Sequence, residues 1–449
     1  MLVHDLVEME KRGVPTVGLI AEPFKDDAVH TAKASGIPGL RHAFMKVDAL
    51  TNLDPESIYK QADAVTPQVI SGLLDAVEAE TPVEEGGTEL SCRVETFKGK
   101  DMLAAWEAFN RFFLEKGWGD GFPLVPPTEE KVEAMLKATS KSPEDIITIL
   151  EPGYAVATVN VIAVNAVMAG CRPKHLPVLL AAVKAMSDPK YRLRTVTMST
   201  GPHTPMLVVN GPVAKELSIN SGRGALGPGK QSWSNTVLGR AIRLILMNVG
   251  HAYVGTMDLD TIGSPNKYSM CIAENEDASP WQPYHMDLDY SRDDSTVTVF
   301  GVESQLEIYD FKNHTPEGIL NSYAGTIGGV GALCTREWLI PRRRADNAVL
   351  ICPDHAAAIA KAGWEKEDIQ TYLHKKTLIP AGLYKNTVTP ARIKPGCRWI
   401  LDAPDDMPLQ AFGSPDWLRI IVVGGAAGKS SFTTGVGKAI TERINDYMP

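Results

Sequence analysis

Several features that mark common protein classes are absent from this 449-residue sequence. Its six cysteines form no Cys-x-x-Cys pair, so neither a zinc finger nor a disulfide framework is indicated. No run approaches the ~20 apolar residues of a membrane span, and no pattern typical of a secretory signal opens the sequence. The net charge of −9 argues against nucleic acid, which requires a basic surface. We therefore expect a cytoplasmic protein without a membrane or nucleic-acid partner.

Helical and strand patterns alternate along the chain, which is typical of an α/β protein. This alternation from residue 1 to about residue 80 predicts a small domain with a flavodoxin-like or Rossmann-like layout. Residues 81–98 are acidic and glycine-rich, and we interpret them as a linker. Residues 99–449 predict a large, mixed α/β domain with a glycine-rich pocket.

The first residues predict a helix followed by a buried strand. Apolar residues at helical spacing indicate a helix that ends at Gly13, and residues 14–21 form an apolar, β-branched run. A buried parallel strand normally follows an earlier strand and its crossover helix, so we expect this domain to lack its first strand. The sheet edge exposed in this way would favour a homo-oligomer or a partner chain.

The segment 263–287 contains a candidate acid–base site. Residues 268–273 predict a strand, and Glu274 follows at its end, where sheet enzymes usually place reacting groups. Glu274 and His285 would act as general acid and base. The alternative is a polar loop with a packed tryptophan. The substrate-binding candidates of this segment are Lys267, Asn275 and Trp281.

A second candidate site surrounds the glycine- and serine-rich residues 218–235, which end at a further substrate-binding candidate, Asn235. A predicted helix follows over residues 236–249. Arg240 and Arg243 are three residues apart and share one face of this helix, and their guanidinium groups suit an anionic substrate. The alternative is that both arginines pair with acidic side chains elsewhere in the fold.

The closing segment VVGGAAGKSS is similar to a phosphate-binding loop. A strand over 418–423 leads into glycines and then into a predicted helix near 435–447, and loop amides before a helix can hold an anion. However, three residues separate Gly424 from Gly428, where the phosphate-loop pattern has four. Two interpretations of this segment stay open, a simple glycine turn and a site for a small anion. The residues of that anion site would be Gly424, Gly425, Gly428, Lys429 and Ser430.

Cys352 is the candidate reactive thiol. It ends a predicted strand and precedes a helix, whose positive end lowers a thiol pKa, although the adjacent Asp354 opposes this effect. Cys171, Cys271 and Cys334 lie past a helix C-terminus or in runs of apolar or small residues, and we interpret them as structural. No spacing of potential ligands is diagnostic of zinc, so no metal site is predicted.

Six stretches of the sequence together resemble the UGSC family, which is named for a selenocysteine-Gly-Ser-Cys motif or its cysteine form. They are LVHDLVEMEKRGVPTVGL, GDGFPLVPPTEEKVEAML, AVMAGCRPKHLPVLLAAVKAM, VVNGPVAKELSINSGRGALGPG, GRAIRLILMNVG and CIAENEDASPW. The first stretch is also similar to subunits of glycine and proline reductases. The resemblance implies a redox-active selenol or thiol in the loop before the opening helix, whose dipole would stabilise it.

No Gly-Ser-Cys triplet occurs in the sequence. Three explanations stay open: the motif lies upstream of Met1, a separate chain supplies it, or this homologue has lost it. The resemblance implies a thiol- or selenol-dependent oxidoreductase, with a thiol reductant or a motif-bearing chain as partner. The small anionic substrate is predicted from Arg240 and Arg243. The alternatives are a lyase or hydrolase that uses Glu274 and His285, and a non-catalytic binding subunit.

Overall fold

The computed structural model describes residues 2–46, 54–74, 94–329, 339–340, 343–388, 390–426 and 428–449. Helices and strands are mixed along these residues, which confirms the α/β fold class. Residues 81–93 of the predicted linker lie outside the described ranges, and the domain boundaries stay predictions. Among the described helices, none is both long and apolar enough to cross a membrane.

The first part of the chain is an α/β unit with two parallel strands. Its elements are α1 (Leu2–Lys11), β1 (Gly18–Ala21), α2 (Lys25–Ala34), β2 (His42–Met45) and α3 (Pro55–Leu74). Apolar side chains of α1, α2 and β1 form a small core. The strand predicted over 14–21 begins only at Gly18. Pro15 has no amide to donate to a neighbouring strand, which accounts for part of this difference.

The rest of the chain contains eleven further helices and ten further strands within the described residues. The helices are α4 (Met102–Glu115), α5 (Glu129–Leu136), α6 (Val159–Ala169), α7 (Leu176–Met186), α8 (Leu193–Met198), α9 (Pro212–Glu216), α10 (Trp233–Asn248), α11 (Pro316–Gly328), α12 (Pro353–Lys361), α13 (Lys366–Lys376) and α14 (Ala381–Lys385). The strands are β3 (Ile146–Leu150), β4 (Ala155–Thr158), β5 (Thr204–Asn210), β6 (Cys271–Ala273), β7 (Thr296–Tyr309), β8 (Asn347–Ile351), β9 (Leu378–Pro380), β10 (Pro408–Gln410), β11 (Leu418–Val422) and β12 (Lys429–Arg443).

Six strands form the central sheet, in the order β11-β8-β12-β7-β5-β6. The pairs β5–β6 and β8–β11 are parallel, and the other pairs are antiparallel. One face of all six strands contributes to a single inner core, which includes Val208, Ile272, Phe300, Leu350, Ile421 and Ala439. The opposite face of the sheet packs against α6, α7 and α10 in one core and against α11, α12 and α13 in a second.

The sheet is curved strongly enough for its two edge strands to meet. In a flat six-stranded sheet these edges would lie about 24 Å apart, because neighbouring strands are about 4.8 Å apart. Here the amide of Asn275, just after β6, donates to the carbonyl of Val422 at the end of β11, at 2.8 Å. The amide of Gly424 donates to the carbonyl of Ser221, also at 2.8 Å. The curvature therefore brings the ends of distant strands to one place.

The end of the chain is a strand, so the prediction of a helix near 435–447 is wrong. Residues 429–443 form β12, which lies in the middle of the sheet. This stretch contains β-branched residues and two glycines, which favour a strand with close backbone contacts over a helix. A Cβ on Gly435 would lie 2.0 Å from the carbonyl oxygen of Asp346, so this position requires glycine.

Replacing Gly435 with alanine tests this close approach. Gly435→Ala should lower the free energy of unfolding by about 2–3 kcal/mol, because the added methyl group must displace the backbone at Asp346. Gly325→Ala is the control: a Cβ at this position in α11 meets no atom within 4 Å. Alanine should stabilise that helix by about 0.5–1 kcal/mol. Urea denaturation measures both effects, and an unchanged midpoint for Gly435→Ala would contradict the packing.

Candidate functional site

The ends of β6, β8 and β11 meet at one edge of the curved sheet. The amide of Val423 donates to the carbonyl of Ile351 at 2.9 Å, so the residues that follow β11 and β8 are adjacent. The side chain of Asn275, after β6, donates from Nδ2 to the carbonyl of Gly424 at 3.1 Å. Three of the candidate site features predicted from the sequence lie at this edge: Glu274, Cys352 and the glycine loop.

Glu274 follows β6 as predicted, and its carboxyl group is buried. Oε2 accepts hydrogen bonds from Asn210 Nδ2 at 2.5 Å and from the amide of Tyr284 at 2.6 Å. Oε1 is also buried and has no hydrogen-bond partner among the described residues. Burial raises the pKa of this carboxyl group to about 7, although the charge of Lys366 and the two hydrogen bonds act in the opposite direction. Glu274 can therefore exchange a proton near neutral pH.

A cavity of about 40 Å³ adjoins Glu274. Two further acidic residues, Glu276 and Asp277, line it together with Lys215. Lys215 Nζ pairs with Asp277 at 2.6 Å, and Glu276 Oε1 accepts a hydrogen bond from the amide of Gly211 at 2.7 Å. Within the described ranges, no group of three or more His, Cys, Asp or Glu side chains could hold a metal ion. The cavity is small, acidic and next to a proton-exchanging group.

His285 and Trp281 make contacts away from the carboxyl group of Glu274. His285 is fully buried, burial lowers its pKa, and its Nε2 lies 3.1 Å from the carbonyl oxygen of Ser291. Trp281 donates from Nε1 to the carbonyl of Trp364 at 2.9 Å and packs in the core between the sheet and α11 to α13. The catalytic role of His285 and the binding role of Trp281 stay predictions.

Cys352 lies in a buried cluster of polar side chains at the start of α12. Its amide donates to Ser430 Oγ at 2.9 Å, and the imidazole of His355, one turn along the helix, lowers the pKa of its thiol. His355 Nδ1 lies 2.8 Å from the hydroxyl of Tyr323 and 3.2 Å from Ser430 Oγ. His355 Nε2 lies 2.9 Å from the carbonyl oxygen of Asp310. In the neutral ring Nε2 therefore carries the proton, and Nδ1 is a hydrogen-bond acceptor.

The pKa values of Cys352 and His355 shift toward each other. Burial raises the pKa of the Cys352 thiol, but its hydrogen bonds with His355 and Ser430 outweigh burial, and the net shift is downward. Burial lowers the pKa of His355, but its hydrogen bonds with Cys352 and the carbonyl of Asp310 outweigh that effect, and the net shift is upward. Both shifts favour transfer of the thiol proton to the imidazole.

The other cysteines differ from Cys352. Burial raises the thiol pKa of both Cys171 and Cys271, which fits the structural role predicted for them. Cys397 is buried in a separate core. Cys334, also predicted to be structural, lies outside the described residues.

Both candidate arginines form ion pairs. Arg240 donates from Nε and Nη2 to the two carboxyl oxygens of Asp120, at 2.6 and 2.9 Å. Arg243 Nη1 lies 3.5 Å from Asp258 Oδ2, and the same carboxyl group pairs with Lys267 Nζ at 2.7 Å. These contacts correspond to the alternative in which the arginines pair with acidic side chains. Anion binding by Arg240, Arg243 or Lys267 stays a prediction.

Asn235 holds the glycine- and serine-rich segment against the sheet. Its Oδ1 accepts a hydrogen bond from the amide of Asn220 at 2.8 Å. Its Nδ2 donates to the carbonyl of Cys271 in β6 at 3.1 Å and to the carbonyl of Ala225 at 3.2 Å. These bonds give Asn235 a positioning role close to Glu274, and its contact with a substrate stays a prediction.

The glycine loop leads into β12, so its amides do not precede a helix. Lys429 Nζ pairs with Glu307 Oε1 at 2.5 Å, and Ser430 belongs to the cluster around Cys352. The helix dipole that motivated anion binding is therefore missing. The anion site stays a prediction for Gly424, Gly425, Gly428, Lys429 and Ser430.

Three residues that contact Glu274 or surround Cys352 were not predicted from the sequence. His355 follows Cys352 by three residues, so a Cys-x-x-His pattern at a helix start was a signal present in the sequence. Asn210 and Tyr323 lie far along the chain from Glu274 and Cys352 and carry no local signal.

The fold is that of an α/β protein, with the buried carboxyl group of Glu274 and the polar cluster around Cys352 at one edge of a curved sheet. Residues 1–75 match the model of the UGSC family, which confirms the resemblance to this family over that stretch. No curated protein and no solved structure matches the chain. The chemistry of residues beyond 75 is therefore argued from their own geometry.

Glu274→Gln should stabilise the protein at neutral pH. The pKa of the carboxyl group is near 4.5 when unfolded and about 7 when folded, so ionisation favours unfolding as the pH rises through this window. Relative to the variant, the wild type should lose up to about 3 kcal/mol between pH 4.5 and pH 7. Urea denaturation across this range measures the difference. A difference that does not change with pH would contradict the raised pKa.

Proposed function

We propose that this chain is a thiol- or selenol-dependent oxidoreductase for a small substrate and that Cys352 is its own reactive thiol. The observation that carries the proposal is the pairing of Cys352 with His355 at the start of α12, where the thiol pKa is lowered. The match of residues 1–75 to the UGSC family supports a redox role, because the resemblance implies a reactive selenol or thiol.

His355 would generate the nucleophile. Because its Nε2 donates to the carbonyl of Asp310, Nδ1 can accept the thiol proton and leave a thiolate beside an imidazolium. The thiolate would displace a leaving group from the substrate and form a bond to the remaining fragment. A second thiol or selenol, from a partner chain or a thiol reductant, would attack the sulfur of Cys352 and release that fragment.

The electrons balance in this sequence of steps. Both parts of the substrate leave with an electron pair and take up a proton, one of them from His355. The two chalcogen atoms are oxidised together, to a disulfide or a selenenyl sulfide, and the substrate is reduced by two electrons. Reduction of that bond by further thiol would restore Cys352.

The pH profile of thiol modification tests the pairing. Cys352 is only 1% exposed, so the reagent should be small, such as methyl methanethiosulfonate. Its reaction midpoint should lie below the usual cysteine pKa. His355→Asn should move the midpoint upward, because the thiolate loses its hydrogen-bond partner. Mass spectrometry of the peptide that contains Cys352 measures the extent of reaction at each pH.

Two controls accompany this profile. Tyr323→Phe keeps the ring and removes a hydroxyl group bonded to His355, so it should shift the midpoint less than His355→Asn does. Cys171, whose pKa is raised by burial, should react only at higher pH in every variant. Superimposable profiles for Cys352 in the wild type and His355→Asn would overturn the proposal.

A lyase or hydrolase is the second candidate function. The observation that favours it is the buried carboxyl group of Glu274, with a pKa of about 7 and a cavity beside it. Turnover that survives complete modification of Cys352 and disappears in Glu274→Gln would assign this chemistry. Turnover lost in Cys352→Ser and retained in Glu274→Gln would assign the thiol-dependent reaction instead.

A further inference from the structure

Asp310 lies between the end of β7 and the start of α11, and its main chain contacts the imidazole of His355. Its carbonyl oxygen lies 2.9 Å from His355 Nε2, and its amide donates to the carbonyl of Gly428 at 2.9 Å. A Cβ on Gly428 would lie 2.6 Å from the same carbonyl oxygen of Asp310. The segment before β12 therefore holds this carbonyl closely, and the carbonyl in turn fixes the orientation of the ring.

The carboxylate of Asp310 is buried and accepts four hydrogen bonds. Oδ1 accepts from the amides of Lys312 and Asn313, both at 2.9 Å. Oδ2 accepts from Asn313 Nδ2 and from Ser322 Oγ, both at 2.6 Å. Burial raises the pKa of this carboxyl group, but the hydrogen bonds outweigh burial, and the net shift is downward. Asp310 is therefore negatively charged throughout the neutral pH range.

Ser322 connects this carboxylate to the other side of the His355 ring. It lies in α11 next to Tyr323, whose hydroxyl lies 2.8 Å from His355 Nδ1. Nε2 contacts the carbonyl of Asp310 itself. Both ring nitrogens thus contact groups that belong to Asp310 or are adjacent to its hydrogen-bond partner.

The charge of Asp310 acts on the imidazole rather than on the thiol. Burial lowers the pKa of His355, and the negative charge of Asp310 is one of the effects that raise it. Burial raises the pKa of the Cys352 thiol, and the groups that lower it are His355 and Ser430. A negative charge beside the ring favours its protonated form, which is the form that stabilises a thiolate.

We propose that Asp310 is a positioning residue for Cys352 and His355: its carbonyl orients the imidazole, and its carboxylate stabilises the imidazolium that forms when the thiol loses its proton. A nucleophile, a base and a third group that orients the base are the parts of an activated nucleophile. This inference deepens the proposed function and rests on it, because it names the residue that leaves Nδ1 free to accept the proton.

The other charged groups near the pair differ from Asp310 in burial or in ionisation. Burial raises the pKa of the Tyr323 hydroxyl well above its usual value, so this group stays neutral. Solvent screens the charges of the exposed side chains on the neighbouring elements. These exposed side chains are Glu307, Lys312, His314, Glu317, Asp354 and Lys429.

The pH profile of Cys352 modification by methyl methanethiosulfonate tests this role. Asp310→Asn keeps the carbonyl and the size of the side chain but removes the charge. The imidazolium is then less stable, so less thiolate forms at a given pH, and the midpoint should move upward by about one pH unit. Glu307→Gln is the matched control, because it removes an exposed carboxylate of the same strand, which pairs with Lys429 at 2.5 Å. Its profile should superimpose on that of the wild type.

Ser322→Ala separates the charge of Asp310 from its hydrogen bonds. This variant removes one of the four hydrogen bonds and keeps the carboxylate, so it should move the midpoint less than Asp310→Asn does. If Asp310 only closed the loop after β7, the two variants should shift the profile equally or not at all. Either of these results would overturn the inference.

NMR spectra of the wild type with isotope-labelled histidine make the test independent of the folding of a variant. The neutral ring of His355 should carry its proton on Nε2, and a proton on Nδ1 would overturn both the inference and the proposed function. A midpoint that is shifted in His355→Asn but not in Asp310→Asn would remove the inference alone. A midpoint that is unchanged in both variants would remove both.

Discussion

The contact between the two edges of the central sheet is the constraint on which the candidate site depends. Asn275 after β6 and Val422 at the end of β11 share a backbone hydrogen bond, although their strands are at opposite ends of the sheet order. The shared inner core draws one face of all six strands together and makes this closure possible. Without it, Glu274 and Cys352 would lie on strands that never approach each other.

Glu274 and Cys352 are both buried, but their hydrogen bonds differ, and their pKa values shift in opposite directions. The carboxyl group of Glu274 has two donors on one oxygen and none on the other, so burial prevails and raises its pKa. The thiol of Cys352 has His355 and Ser430 as partners, and these outweigh burial and lower its pKa. One edge of the sheet thus offers a carboxyl group whose pKa is raised to about 7 and a thiol whose pKa is lowered.

Local patterns predicted those features of the site that depend on neighbouring residues. Glu274 at the end of a strand and Cys352 before a helix were both found in this way, because strand ends and helix starts have short sequence signatures. The closing helix was predicted wrongly, because glycines and β-branched residues serve either a loop before a helix or a strand in close contact with its neighbour. The close approach of the Asp346 carbonyl to Gly435, a contact between residues far apart in the sequence, distinguishes the strand from the loop.

The sequence by itself determined the α/β class, the resemblance of the first 75 residues to the UGSC family and the positions of a strand-end carboxylate and a helix-start thiol. The tertiary structure alone decided which side chains these groups meet. Asn210 and Tyr323 reach Glu274 and His355 from strands and helices far along the chain. The first contact follows from the pairing of β5 with β6 and the second from the packing of α11 and α12 in one core, and no local run of residues encodes either.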